Sequence, residues 1–198
     1  MTTWLTSDWH LGHRNIIKYC QRPYADVDTM NQDMIARHNG LVAGSDTVWV
    51  LGDVVMSSQF LPLVSRFNGR KILVPGNHDA AWRGTDKWRP ENVDKYLEAG
   101  FAEVIHEPQP LRVGGIDVQL SHFPYLADTH DSPRFVQWRL PDTGGWLFCG
   151  HIHTQWRQHQ RQINVGSDAW GGSPVQLSDL ADLIATGPGE LPPLPWTA

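Results

Sequence analysis

The chain lacks any apolar run approaching the roughly 18 residues that a membrane span needs, which excludes a spanning helix from its 198 residues. Its opening, MTTWLTSDWH, has neither a basic start nor a long apolar stretch, so no secretory signal is expected and the expected compartment is the cytoplasm. Cysteine is scarce. Cys20 and Cys149 stand alone, and two buried thiols are expected rather than a disulfide scaffold. Positive charge is also in deficit: 16 Lys and Arg against 21 Asp and Glu give a formal net charge of −5. A sequence-independent binder of duplex nucleic acid uses Lys and Arg to displace phosphate counterions, so that class is set aside. A phosphate-bearing partner would need a local positive centre, which a bound metal can supply. Internal repeats and heptads are absent.

What is present is a globular composition, 40% hydrophobic and 19% charged. One domain is expected over residues 1–186, followed by a Pro-rich tail, residues 187–198, reading GPGELPPLPWTA. The tail is expected to be irregular and anchored by Trp196. Short apolar runs read as strands at Trp4–Thr6, Val48–Leu51, Lys71–Val74, Ile116–Leu120 and Trp146–Cys149, with weaker ones at Ala102–Ile105, Leu111–Val113 and Gln162–Val165. Gly114-Gly115 suits a hairpin turn. Helices are expected at Asn15–Gln21, Thr29–Asn39 (capped by Asp28), Ser58–Asn68, Glu91–Ala99 and Asp179–Thr186 (capped by Ser178).

The strongest runs end alike. Trp4–Thr6 leads into Ser7-Asp8-Trp9-His10, Val48–Leu51 into Gly52-Asp53, and Lys71–Val74 into Gly76-Asn77-His78-Asp79. Ile116–Leu120 leads into Ser121-His122, and Trp146–Cys149 into Gly150-His151-Ile152-His153. Open α/β sheets bind ligands outside the carboxyl ends of their strands, so these ends suit one shared cleft. A lone Asp after a strand suits a turn or a helix cap, and a lone His suits a hydrogen-bonded core position. Five such endings in series point instead to a metal centre. All seven candidate ligands (Asp8, His10, Asp53, Asn77, His122, His151 and His153) offer oxygen or nitrogen and none is a thiolate. That set suits Mn²⁺, Fe or Zn²⁺. It exceeds what one four-coordinate ion takes and fits two ions about 3.5–4 Å apart.

The series Asp8-x-His10, Gly52-Asp53, Gly76-Asn77-His78-Asp79, His122 and Gly150-His151-x-His153 resembles the calcineurin-like metallophosphoesterases. The flanking text, including Asn164-Val165-Gly166-Ser167-Asp168-Ala169-Trp170, resembles the small stand-alone members of bacteria and phages. The resemblance implies an α/β fold, a four-layer α/β/β/α sandwich of two mixed β-sheets flanked by helices. It implies two divalent ions, Mn²⁺ foremost with Fe, Zn²⁺ or Ni²⁺ as alternatives. Asp8, His10, Asp53 and His153 would hold one ion; Asp53 would bridge to a second, completed by Asn77, His122 and His151. A hydroxide shared by the two ions would attack phosphorus. His78 would serve as general acid toward the leaving alkoxide, and Asp79 would fix the His78 loop in the catalytic set.

Departures from the resemblance narrow the activity. Protein phosphatases of the superfamily carry a further Asp and Arg after Gly-Asp and end the Asn-His element in Glu, whereas here Met56 and Asp79 stand there. A binding scaffold without catalysis would be expected to have lost ligands, and none is lost. The expected substrates are small phosphodiesters, nucleotide and cyclic nucleotide esters first. Phosphomonoesters and short single strands stay open as alternatives. His13, Arg14 and Asn77 are candidates for holding phosphate. Residues 124–145, with Tyr125, His130, Arg134, Phe135, Trp138 and Arg139, form a long insertion that suits substrate choice or a small hydrophobic lid. Arg83, Lys87 and Arg89 suit a basic lip or a solvated face. His38, His106 and His159 read as structural or exposed. Ten tryptophans leave room for a homodimer.

Overall fold

The computed structural model describes residues 1–86 and 88–196. The chain runs β1 (Thr3–Thr6), α1 (Ile16–Tyr19), α2 (Val27–Leu41), β2 (Thr47–Val50), β3 (Arg70–Leu73), α3 (Pro90–Glu98) and β4 (Phe101–Val104). It continues through β5 (Leu111–Val113), β6 (Ile116–Leu120), β7 (Trp146–Cys149), β8 (Gln158–Gln160) and β9 (Gln162–Asn164), then β10 (Val175–Gln176), α4 (Leu177–Thr186) and β11 (Gly189–Leu191). The first sheet has the order β10-β1-β2-β3-β4 and the second β11-β8-β9-β7-β6-β5. Both are mixed: β1, β2, β3 and β4 pair in parallel with β10 antiparallel, while β6, β7 and β9 form the parallel centre of the second sheet. This is the expected α/β architecture of two mixed sheets flanked by helices.

Strand alternation places the core. In β7 all four residues are buried. Trp146 and Phe148 join Leu5, Val118, Leu120, Ile163 and Val175 in the apolar cluster drawing on both sheets. Leu147 and Cys149 point the other way and are covered by Tyr125, Leu140 and Trp156. A fully buried strand side chain of this kind contributes about 1.5–3 kcal/mol, so β7 and its parallel end, where two histidines follow, are firmly held. On the first sheet the outer cluster is built from α2 (Met30, Met34 and Ile35), Val64, Phe67 and Tyr96. Met30, Met34, Ile35 and His38 are buried as one face, as the spacing required. Both cysteines are buried free thiols.

Several local expectations need correction. Helix α2 is capped by Asp26, which accepts from the Thr29 N–H at 2.8 Å, not by Asp28, and it runs through Gly40 to Leu41. Residues 58–66 form a 3-10 helix. Pro62 falls mid-element, where its ring would clash with the carbonyl of an α-helical turn. The cap position of α4 is Gln176 rather than Ser178, because β10 pairs with β1 immediately before it. The tail is not irregular throughout. Gly189–Leu191 pairs antiparallel with Gln158–Gln160, Leu194 bridges to Trp170, and Trp196 packs over Arg22. No helix among the described residues is long and apolar enough to cross a membrane.

Candidate metal centre

The parallel strand ends converge as their topology requires. Backbone bonds from Asp8 N to Gly52 O and from His10 N to Asp53 O, each 3.0 Å, carry the pairing of β1 and β2 past the sheet. Asp8, His10 and His153 form one group whose donor atoms lie within 4.8 Å of one another, and Asp53, His122 and His151 form another. Asp53 lies between them: its Oδ2 is 3.6 Å from His10 Nε2 and 3.5 Å from His122 Nε2. Asn77 Oδ1 lies 3.1 Å from His122 Nε2. Five of the seven residues expected from strand endings (His10, Asp53, Asn77, His151 and His153) line one cleft of about 510 Å³, and Asp8 and His122 have donor atoms within 4.8 Å of those of their neighbours in it.

The backbone at these residues is unusual. Asp8, His10, Asp53, His151 and His153 all adopt left-handed conformations, with φ of 55°, 51°, 54°, 73° and 48°. Such residues cost of order 1–3 kcal/mol each and persist only where the surroundings over-determine them. Glycine makes room for them in two ways. Gly52 itself has φ of +89°, so it provides the turn. Gly76 instead permits close approach, since a Cβ there would stand 2.4 Å from Asp53 Oδ1 and 2.7 Å from His122.

Whether these residues fit metal ions is answered by their unused atoms. Both ring nitrogens of His10 are buried without a hydrogen-bond partner, a costly arrangement that a bound cation relieves. Other imidazoles are fixed from behind. His122 Nδ1 lies 2.7 Å from the Leu51 carbonyl, and His153 Nδ1 lies 2.9 Å from Asp168 Oδ2. Each ring is left with its Nε2 to bind an ion. Charge in the cluster is strongly perturbed. Burial alone would raise Asp53, but the His122 and His10 imidazoles hold its carboxyl well below the usual range. Burial opposes protonation of His122, yet Asp53 outweighs it and raises the imidazole to about 9. Burial, with His122 beside it, depresses His151 to about 3. Cys20 also lines the cleft near His153, but burial pushes its thiol up, so it stays protonated.

His78 projects beyond the ligands. Its side chain is 40% exposed, with Nε2 3.9 Å from Asp53 Oδ2, and its N–H donates to Asp53 Oδ1 at 2.9 Å. Asp79 is buried and does not face the cleft. It accepts from the backbone N–H groups of Asp53 (2.8 Å), Gly76 (2.9 Å) and Val54 (3.0 Å) and from the Tyr96 hydroxyl (3.1 Å). Burial and the nearby Asp53 raise its carboxyl to about 7, against the pull of those donors. Asp79 thus stitches the second and third strand ends together and touches no open space. His13 lines the cleft, its ring 5.4 Å from that of His10. Arg14 is exposed and is not among the cleft-lining residues. Arg134, His130 and Thr129 from the 124–145 insertion do line the cleft. Arg83 borders a separate cavity of about 400 Å³ with Trp82 and Trp138, Arg89 is exposed, and Lys87 lies outside the described residues.

Two side chains that contact candidate ligands had no sequence signal. Arg22 is fully buried, pairs through Nε and Nη2 with Asp168 (2.8 and 2.9 Å), and donates to the Asp8 and Trp9 carbonyls at 2.8 and 3.0 Å. It clamps the Asp8 loop to the residue behind His153. Asp128, in the insertion, faces His151 with Oδ2 3.5 Å from Nε2. Asp168 and Asn164 stood in a motif that resembled the family, and Asn164 proves to anchor the His153 and Trp156 carbonyls through Nδ2.

The chain is similar to several known proteins. The gene 66 protein of Mycobacterium phage L5 is 35% identical over 92% of this chain and 93% of its own length. Protein MJ1445 of Methanocaldococcus jannaschii is 28% identical over 93% of this chain and 92% of its own. Among solved structures, protein AQ665 from Aquifex aeolicus superposes with a TM-score of 0.66 at 22% identity, covering 92% of this chain and 98% of that one, which speaks for the fold. The sequence model of the calcineurin-like phosphoesterases matches residues 1–155, a span that takes in every candidate ligand from Asp8 to His153. The chain therefore belongs to the calcineurin-like phosphoesterase family, whose members hydrolyse phosphoric esters with the help of metal ions.

Proposed function

We propose that this phosphoesterase acts on small phosphodiesters, nucleotide and cyclic nucleotide diesters foremost, with two Mn²⁺ ions as its working metals. The observation that carries the diester reading is the scarcity of cationic side chains in the cleft. Arg134 is the single Lys or Arg among the described residues lining it, and its guanidinium is already paired with Asp128 at 3.3 Å. A phosphomonoester carries close to two negative charges at neutral pH because its second pKa is about 6, and a diester carries one. A site with little positive charge beyond its ions favours the singly charged ester. The all-oxygen-and-nitrogen donor set is compatible with Mn²⁺, as it is with Fe and Zn²⁺.

Asp8, His10 and His153 would hold one ion and Asn77, His122 and His151 the other, with Asp53 between them. Two such ions supply Lewis-acid stabilisation of charge on phosphate oxygens and a water of lowered pKa. The chain's own residues do the rest. His78, free to reach outward, donates a proton to the leaving oxygen, a contribution typically worth 10²- to 10⁴-fold. The Asn77 amide and the His13 ring donate hydrogen bonds to non-bridging oxygens. Asp79 keeps the Asp53 and His78 backbones in register so that these donors stay aimed. With Mn²⁺ at one pH, kcat/KM for bis(p-nitrophenyl) phosphate should exceed that for p-nitrophenyl phosphate. The reverse order would overturn the diester reading and leave phosphoester hydrolysis intact.

A further inference from the structure

Two of the histidines at the centre are backed by matching devices built from unrelated parts of the chain. Behind His153, the buried Asp168 faces Nδ1 at 2.9 Å and is itself held by Arg22. Behind His151, Asp128 faces Nε2 at 3.5 Å, and its side chain is only 1% exposed. Asp128 is held by Arg139, whose Nη2 donates to it at 2.9 Å, and by the Arg134 N–H at 2.8 Å. Arg139 also donates to the Ala127 carbonyl at 2.7 Å and the Arg134 carbonyl at 3.0 Å, and its side chain is 6% exposed. His151 Nε2 is buried and lacks another partner. A ring whose Nε2 faces a carboxylate offers its Nδ1 to an ion, and the carboxylate then fixes the ring's orientation and raises its basicity.

We propose that Asp128 is a positioning residue for one of the two metal ions, acting through His151, and that it pins the 124–145 insertion to that ion's site. This rests on the metal-binding reading of the cleft and not on the choice of substrate. The gap between 3.5 Å and a good hydrogen bond of about 2.9 Å is closed by a small ring rotation once His151 is ligated. Because Asp128 also accepts from Arg134, and Arg134 lines the cleft with Thr129 and His130, loop position and the holding of that ion are coupled.

Titration calorimetry of metal-free protein with Mn²⁺ tests this, alongside unfolding curves of the same metal-free samples. Wild type should bind two ions. Asp128→Ala should weaken one of them about 10- to 100-fold and leave the other unchanged, and Asp128→Asn, which keeps an acceptor oxygen, should recover part of the loss. Histidine ¹⁵N spectra of Zn²⁺-loaded protein should show His151 protonated at Nε2, a signal that Asp128→Ala shifts. Arg139→Met serves as the second variant, since it loosens the loop while leaving the carboxylate in place. A purely structural role predicts that Asp128→Ala and Arg139→Met lower the melting temperature alike with both ions bound at wild-type affinity, and that result overturns the proposal. Equal weakening of both ions also overturns it. Wild type failing to bind two ions would refute the metal reading beneath it instead.

Discussion

Replacing Arg22 by Met removes a guanidinium that nothing in the sequence pattern singled out, and its cost can be worked from its contacts. Arg22 and Asp168 are both fully buried, and the pair is joined through two nitrogens. Removing one partner of a buried ion pair leaves an uncompensated charge and costs about 3–5 kcal/mol. Methionine fills much of the same volume, so packing loss adds little. The Asp8 and Trp9 carbonyls each lose a donor as well, while the His153 ring stays beside Asp168 and offsets part of the loss. A net of about 3–5 kcal/mol in a domain of this size lowers the melting temperature by roughly 6–20 °C. The assay is urea unfolding of metal-free protein at neutral pH for wild type, Arg22→Met, Asp168→Leu and the double variant. A coupling energy of about 2–3 kcal/mol is expected from the cycle. A single-variant cost below about 1 kcal/mol, or a cycle that closes to zero, would refute the reasoning.

Asp53→Asn should abolish turnover more completely than any change at Asp8, His10, Asn77, His122, His151 or His153, because only Asp53 lies beside both groups. Metal analysis should show both ions depleted, and full occupancy with near wild-type turnover would sink the assignment. His78→Gln should keep the metal content yet slow hydrolysis of nucleotide diesters far more than of bis(p-nitrophenyl) phosphate, whose phenolate leaves without a proton. Equal defects on both substrates would mean that His78 binds or supports rather than protonates. Acid stability should carry a contribution from His38, which burial lowers to about 4 while the Asn68 carbonyl opposes the shift. Between about pH 6.5 and 4 the unfolded chain takes a proton that the folded one refuses, so stability falls as pH falls, by up to roughly 3 kcal/mol. His38→Gln should be less acid-sensitive than wild type in urea unfolding across that window, and an unchanged slope would count against it.

The candidate ligands were legible because metal chemistry restricts residue type and parallel-strand topology restricts position. Asp8, Asp53, Asn77, His122, His151 and His153 each follow an apolar run, and that local regularity needs no knowledge of the fold. The parallel runs Val48–Leu51, Lys71–Val74 and Trp146–Cys149 were readable to within one residue for the same reason, since their text is mostly apolar, and in Trp146–Cys149 burial on both faces makes it continuous. What sequence alone left open was whatever depends on a distant partner. Gln158–Gln160 is polar, and Gly189–Leu191 is an edge strand preceded by Gly187-Pro188; pairing is the main reason that either is a strand. Pro62 turned an expected α-helix into a 3-10 helix through its position within the element. Arg14 followed a metal motif yet lies outside the cleft lining, whereas Arg22, eight residues further on, is folded beneath it. Asp128 stands in an insertion without periodicity, and only the packing of that insertion onto β7 brings its carboxylate to His151. Ligand identity is a local property of the chain. The groups that hold the ligands are fixed by contacts between residues up to 146 positions apart, so it was the tertiary structure that decided them.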